Sequence, residues 1–152
     1  MPSKLKSLWR CPKCGERFVT KNLWHSCGKY SLQELFSRSD PLVLKLFKKF
    51  ARMARTCGPV KMIPQKTRAV FQVRMRFAGC YPRKSHLLCT VVLSRRLDVP
   101  RIVKTEVFAP HCILHQFRIY SENELDDEVQ GWLYESYEVG KQKHLLERLQ
   151  SH

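Results

Sequence analysis

The stretch Thr67-Arg68-Ala69-Val70-Phe71-Gln72-Val73-Arg74-Met75-Arg76-Phe77 places Thr67, Ala69, Phe71, Val73, Met75 and Phe77 on alternate positions, with Arg68, Val70, Gln72, Arg74 and Arg76 between them. A period of two predicts a half-buried β-strand, its apolar side on a core and its basic side outward. A slip of one residue would exchange the two sets. Around this strand the sequence predicts a shorter one at Val60–Ile63. A central strand is expected at Leu87–Leu93, which is apolar on both faces, with two more at Ile102–Phe108 and Ile113–Tyr120. About five closely spaced strands with short connections imply a mainly antiparallel sheet.

Helices flank the sheet in the sequence. Ser31-Leu32-Gln33-Glu34 has capping-box spacing and predicts a short helix to about Arg38. Asp40-Pro41 opens a second helix, because aspartate caps well and proline at the first helical position loses no hydrogen bond. Gly58-Pro59 stops it. Val43, Leu46, Phe47, Phe50 and Ala54 form its core face, while Lys45, Lys48, Lys49, Arg52 and Arg55 form a polar face containing no acid. Ser121-Glu122-Asn123-Glu124 is a second capping box, expected to start a long helix packed on the sheet through Leu125, Val129, Trp132, Leu133, Ser136 and Tyr137. Gly140 is expected to break that helix before a looser continuation over Lys141–Leu149.

Cys11-Pro12-Lys13-Cys14-Gly15 reads as a metal knuckle: two cysteines two residues apart turn both sulfurs toward one point. Trp24-His25-Ser26-Cys27-Gly28 supplies the other half. Cys11, Cys14, His25 and Cys27 together make a closed tetrahedral set suited to structural zinc, with no position left for substrate water. A reduced thiol loop or a disulfide is the alternative. Such a site staples a segment of about thirty residues that lacks a core of its own. The chain thus divides into a zinc-finger-like module over residues 1–30 and an α+β domain over 31–152. The other cysteines, Cys57, Cys80, Cys89 and Cys112, sit singly among apolar residues and read as buried reduced thiols.

The 152 residues carry a net charge of +15. Its distribution says more than its sum: seventeen Lys and Arg but only Asp98 and Glu106 lie between Pro41 and Ser121. A field of that sign attracts polyanions, nucleic acid above all, through phosphate rather than base identity. A solvated basic surface is the plainer alternative. The start of the chain lacks the apolar run of a signal peptide, and no stretch approaches a membrane span, so a soluble, cytoplasmic protein is expected.

Lys66, Arg68, Gln72, Arg74 and Arg76 form the second half of the expected basic surface. Alternate strand residues project the same way, giving a row of donors about 7 Å apart that matches a phosphate backbone, with Gln72 adding a base or sugar contact. Alternatively, the closing helix covers this row and neutralises it with Glu124, Asp127, Glu128 or Glu135. Catalytic chemistry finds little support, for GxSxG, HExxH and a phosphate-cradling glycine loop are all absent. His111 and His115 lie four strand residues apart, roughly 13 Å, too far to share a metal. Each reads as a structural histidine.

Taken together, Cys11–Gly15, His25–Gly28, Lys66–Arg68, Phe71–Phe77, Trp132-Leu133 and Tyr137–Gly140 resemble an uncharacterised, mainly bacterial family, the domain of unknown function 5655. The resemblance implies one compact domain with an N-terminal zinc finger and carries over no catalytic residue. The leading expectation is therefore a non-catalytic, low-specificity DNA- or RNA-binding protein, with zinc module, basic helix and basic strand face acting as one surface. The alternatives are a pocket for a small anionic ligand or an unassigned enzyme site centred on Arg68, Arg74, Arg76 and His115, and a protein-interaction adaptor using the finger.

Overall fold

A computed structural model describes residues 7–12, 17–18 and 30–142. Cys14, His25 and Cys27, and most of the expected Lys141–Leu149 continuation, lie outside these residues. Strands β1 (Trp9–Arg10) and β2 (Arg17–Phe18) pair antiparallel and bracket the Cys11–Gly15 stretch.

The first helix, α1 (Leu32–Leu35), is shorter than expected. Ser31 Oγ accepts from Glu34 N at 3.2 Å as the capping motif requires. The chain then leaves helical geometry at Phe36, whose buried ring packs on Phe47 with centroids 5.0 Å apart. Helix α2 (Pro41–Thr56) has the expected bounds and buries the expected face, Val43, Leu46, Phe47, Phe50 and Ala54. Asp40 precedes it without a side-chain cap bond, its carboxylate instead pairing with Lys84 at 3.0 Å.

The main sheet has six antiparallel strands: β3 (Lys61–Pro64), β4 (Ala69–Gln72), β5 (Arg76–Pro82), β6 (Leu87–Leu93), β7 (Ile102–Ala109) and β8 (Cys112–Ile119). Their spatial order is β3-β4-β5-β6-β8-β7, which makes the doubly apolar β6 an interior strand, as its sequence predicts. The expected single strand over Thr67–Phe77 is corrected to two. It folds back on itself at Val73–Met75, where the N–H groups of Arg74 and Met75 both donate to the carbonyl of Gly140 at 3.1 and 3.0 Å. Phe71 stands opposite Ala78 and Gln72 opposite Arg76, so Phe77 is an extra residue in the ladder. This bulge turns its ring into the core, edge-on to Tyr137 at 5.5 Å.

Ser121–Glu124 does form a capping box, with Glu124 Oε1 accepting from Tyr120 N at 2.7 Å and Ser121 N at 3.0 Å. It caps only a single 3₁₀ turn. The long helix, α3 (Asp127–Gly140), starts afresh from Asp126, whose side chain accepts from Val129 N. Leu125, Val129, Trp132, Leu133, Ser136 and Tyr137 are all buried, as expected.

Helices α2 and α3 cover one face of the sheet. Phe47 and Phe50 pack on Phe71, and Trp132 packs on Phe117 at 5.2 Å. The core therefore lies between the helices and Ala69, Phe71, Cys80, Leu87, Cys89, Val91, Phe117 and Ile119. The second face is not bare either, for Ile63, Val70, Gln72, Thr90 and Val92 are buried on it. Gln72 Nε2 donates there to the backbone carbonyl of Arg17, which sets the β1–β2 hairpin against this face.

Candidate nucleic-acid interface

Directly opposed residues of neighbouring strands share a face of the sheet. Tyr81 opposes Leu88, and Leu88 opposes Arg118. Arg68, just before β4, extends the same row, since the next pair along is Ala69 with Cys80. The row thus runs Arg68, Tyr81, Leu88, Arg118 across the second face, spanning about 14 Å at ordinary strand spacing.

Its side chains engage one another. Arg68 donates from Nη1 to the Tyr81 hydroxyl at 3.0 Å and from Nε to Gln65 Oε1 at 2.8 Å. The guanidiniums of Arg68 and Arg83 lie 5.7 and 5.9 Å from the Tyr81 ring centre, within cation–π range. In the β5–β6 turn, His86 packs against Tyr120 with centroids 4.9 Å apart, and Tyr120 is 52 % exposed. Burial first, then the charges of Arg118 and Arg83, hold His86 below its ordinary pKa, which marks both guanidiniums as its neighbours. Among the described residues no ion pair involves Arg68, Arg83 or Arg118. Two carboxylates that reach neighbouring residues are engaged otherwise, Asp40 by Lys84 and Glu124 by the backbone amides of Tyr120 and Ser121. The result is a cluster of three guanidiniums, two phenol rings and an imidazole.

The expected basic surface is only partly brought together. Arg68 and Arg76 are neighbours on the second face. Burial, and secondarily the charge of Arg68, lowers the pKa of Arg76. Gln72 is buried and bonded to Arg17, so the base or sugar contact expected of it is withdrawn. Arg74 lies in the β4–β5 turn against the end of α3, where its Nε donates to Gln142 Oε1 at 2.8 Å. Lys66 is exposed in the β3–β4 turn.

On α2, Lys48 and Arg52 are exposed, but Lys45 pairs with Glu122 at 3.3 Å and Lys49 Nζ donates to the Glu122 carbonyl at 2.9 Å. The helix is free of acids in sequence, yet the turn before α3 brings one to it. Because α2 covers one face while Arg68 and Arg76 project from the other, the single continuous surface expected from the sequence is corrected to two surfaces on opposite sides.

For the alternative in which α3 neutralises the strand arginines, several acids of that region have other partners. Glu135 pairs with Arg95 at 2.7 Å, and Asp126 and Glu128 pair with Arg101 at 3.1 Å, all away from Arg68 and Arg76. The alternative centre on Arg68, Arg74, Arg76 and His115 does not assemble. His115 is fully buried, facing the helix layer beside Val91, and both ring nitrogens are engaged. Nδ1 lies 2.9 Å from the Ile113 carbonyl, and Nε2 accepts from Leu97 N at 2.9 Å. The ring is thus the neutral tautomer protonated at Nδ1, a structural histidine. His111 lies in the β7–β8 turn with φ of 67°, not on a strand.

Of the expected zinc ligands, Cys11 is buried beside the β1–β2 hairpin. No group of three or more metal-ligating side chains occurs among the described residues. Sequence reading missed Tyr81, Arg83, Arg118 and Tyr120. The alternation of Arg118 with Tyr120 was a visible signal, but strand order alone brings Tyr81 and His86 beside them.

Fold and site define a small, basic two-layer α+β protein with an arginine- and tyrosine-bearing sheet face. The family model for the domain of unknown function DUF5655 matches residues 33–140, from within α1 to the last residue of α3, and the chain belongs to this family. No curated protein and no solved structure matches it. No helix among the described residues is long and apolar enough to cross a membrane.

Proposed function

We propose that this chain binds nucleic acid in the cytoplasm, without catalysis and with low sequence specificity, through the Arg68, Tyr81, Arg83, His86, Arg118 and Tyr120 cluster. The observation that supports this reading best is the interleaving of guanidiniums and rings on a face whose neighbouring acids are engaged elsewhere. Guanidinium planes pair with phosphates and stack on bases, and an exposed tyrosine offers a sequence-tolerant platform. Single-stranded DNA or RNA suits this arrangement better than duplex, because unstacked bases reach the rings.

The test is fluorescence anisotropy of a labelled mixed-sequence single strand, titrated between about 50 and 200 mM salt. Each phosphate contact contributes about 0.7 to the log–log slope on single strands, so three arginines give a slope near −2. Arg83→Gln and Arg118→Gln should each flatten the slope by about 0.7 units. Tyr120→Ala should weaken binding by about 1–3 kcal/mol at unchanged slope. Lys48→Gln with Arg52→Gln, on the helix layer, should leave binding nearly intact. If only the helix pair matters, the cluster is the wrong site, and absence of binding at about 50 mM salt, where screening is weakest, rejects the reading.

The same proposal includes one structural zinc held by Cys11, Cys14, His25 and Cys27. The β1–β2 pairing around the Cys11–Gly15 stretch supports it, as a short hairpin is what a two-cysteine knuckle requires. Elemental analysis should find one zinc per chain and a large loss in Cys14→Ser. Folded protein without metal, whose melt ignores chelator, would remove zinc from the account.

A further inference from the structure

The two edges of the sheet differ. Strand β3 is four residues long and ends in Pro64, a blunt edge that resists further pairing. Strand β7 is eight residues long, contains no proline and exposes Val103 at 46 %, Val107 at 63 % and Phe108 at 61 %. Its irregularities fall near its ends, between Ile102 and Lys104 and between Val107 and Ala109, so Lys104–Val107 stays in regular register with β8. An open, regular, apolar edge is a template for another strand.

The sequence of that edge says which strand. Ile102-Val103-Lys104-Thr105-Glu106-Val107-Phe108 is symmetric in chemical character about Thr105: Val103 mirrors Val107, Lys104 mirrors Glu106, and Ile102 mirrors Phe108. In an antiparallel pair around a twofold axis at Thr105, each residue meets its mirror partner. Lys104 and Glu106 oppose Gln116 and Leu114 of β8, so they share the face away from the helices. Both are exposed, and neither has an ion-pair partner among the described residues. The symmetry therefore sets Lys104 of each copy against Glu106 of the other, twice. Beside this span, Val99, Ile102 and Val103 line a groove of about 560 Å³.

We propose that β7 is the interface of a homodimer, in which two copies of this chain join their sheets edge to edge in antiparallel register centred on Thr105. Lysine and glutamate on an edge ordinarily discourage pairing. Here their opposite signs and mirrored positions select one partner and one register, since a slip by one residue sets Lys104 or Glu106 against Thr105 and a slip by two sets lysine against lysine or glutamate against glutamate. This inference is independent of nucleic-acid binding.

Sedimentation velocity on the full chain, without nucleic acid and from about 1 µM to about 1 mM, reads the dimer directly. The wild type should dimerise reversibly. Lys104→Glu alone sets glutamate against glutamate and Glu106→Lys alone sets lysine against lysine, so each should weaken the dimer by about tenfold or more. Mixing the two single variants should produce a heterodimer, and the double swap Lys104→Glu with Glu106→Lys should recover the wild-type constant. Circular dichroism melts on each variant establish that the fold persists. Since both substitutions are on exposed side chains, a variant that failed to fold would itself contradict the placement of β7. A monomeric wild type at all concentrations, a dimer indifferent to the single swaps, or swaps that fail to rescue each other would overturn the proposal.

Discussion

Phe71→Ala should lower the stability of the protein by about 3–5 kcal/mol, the usual cost of deleting a fully buried aromatic ring. Phe71 is 0 % exposed, with Phe47 and Phe50 from α2 at ring-centre distances of 6.0 and 5.6 Å. It is the point where β4 meets the helix layer, so truncation opens a cavity bounded by two rigid elements that cannot easily close on it. Denaturant unfolding followed by circular dichroism measures the loss. Phe71→Leu, which keeps most of the volume, should cost much less. Val73→Ala serves as the contrast. Strict alternation from the sequence places Val73 beside Phe71 in the core, whereas it is only half-buried in the β4–β5 turn. Equal losses for Phe71→Ala and Val73→Ala would restore the uninterrupted strand, and a loss of a few tenths of a kcal/mol at Phe71 would mean that β4 faces the other way.

Gly58→Ala is expected to cost about 2–4 kcal/mol, a large effect for one methyl group. Gly58 follows α2 with φ of 146°, a conformation that side-chain-bearing residues adopt only under strain of about 1–3 kcal/mol. An added Cβ would also stand 2.5 Å from the Tyr137 hydroxyl and 2.9 Å from its Cζ. That ring cannot simply swing away, being buried and held edge-on against Phe77. Its hydroxyl donates to the Pro59 carbonyl at 2.8 Å, a bond worth about 1 kcal/mol that the methyl group would displace. A double-mutant cycle separates the two contributions. Tyr137→Phe removes the hydroxyl, so Gly58→Ala in that background should retain the backbone strain and lose most of the clash. A neutral or stabilising Gly58→Ala would refute both the positive φ and the close approach of α3.

The local signals were strong where one stretch of chain carries the whole instruction. Pro41 and Gly58-Pro59 delimit α2 because a proline at the first helical position and a glycine stop act within a turn of the helix, even though Asp40 makes no side-chain cap bond. Leu87–Leu93 reads as an interior strand because both of its faces are apolar, and β6 is indeed interior. The Ser121–Glu124 box also formed, but what followed it was decided elsewhere. Buried Leu125 leaves helical geometry, and Asp126 starts α3 anew.

The basic surface shows the limit most sharply. Alternation along Thr67–Phe77 reports only which residues would share a face if the strand ran straight. It does not, because Arg74 and Met75 donate to Gly140 at the far end of α3, and the resulting turn removes Arg74 from the row while a bulge sends Phe77 inward. Likewise, Glu122 reaches Lys45 and Lys49 from a turn more than seventy residues away, and Arg17 reaches Gln72 from the N-terminal hairpin. The cluster of Arg68, Tyr81, Arg83, His86, Arg118 and Tyr120 exists only once β4, β5, β6 and β8 are ordered side by side. By itself the sequence determined the α+β class, the bounds of α2, the interior strand and the excess of positive charge, since composition, caps and periodicity act over a few residues. Tertiary structure alone decided which cations share a face, which are held by acids and which edge stays open, since those depend on contacts between segments far apart in the chain.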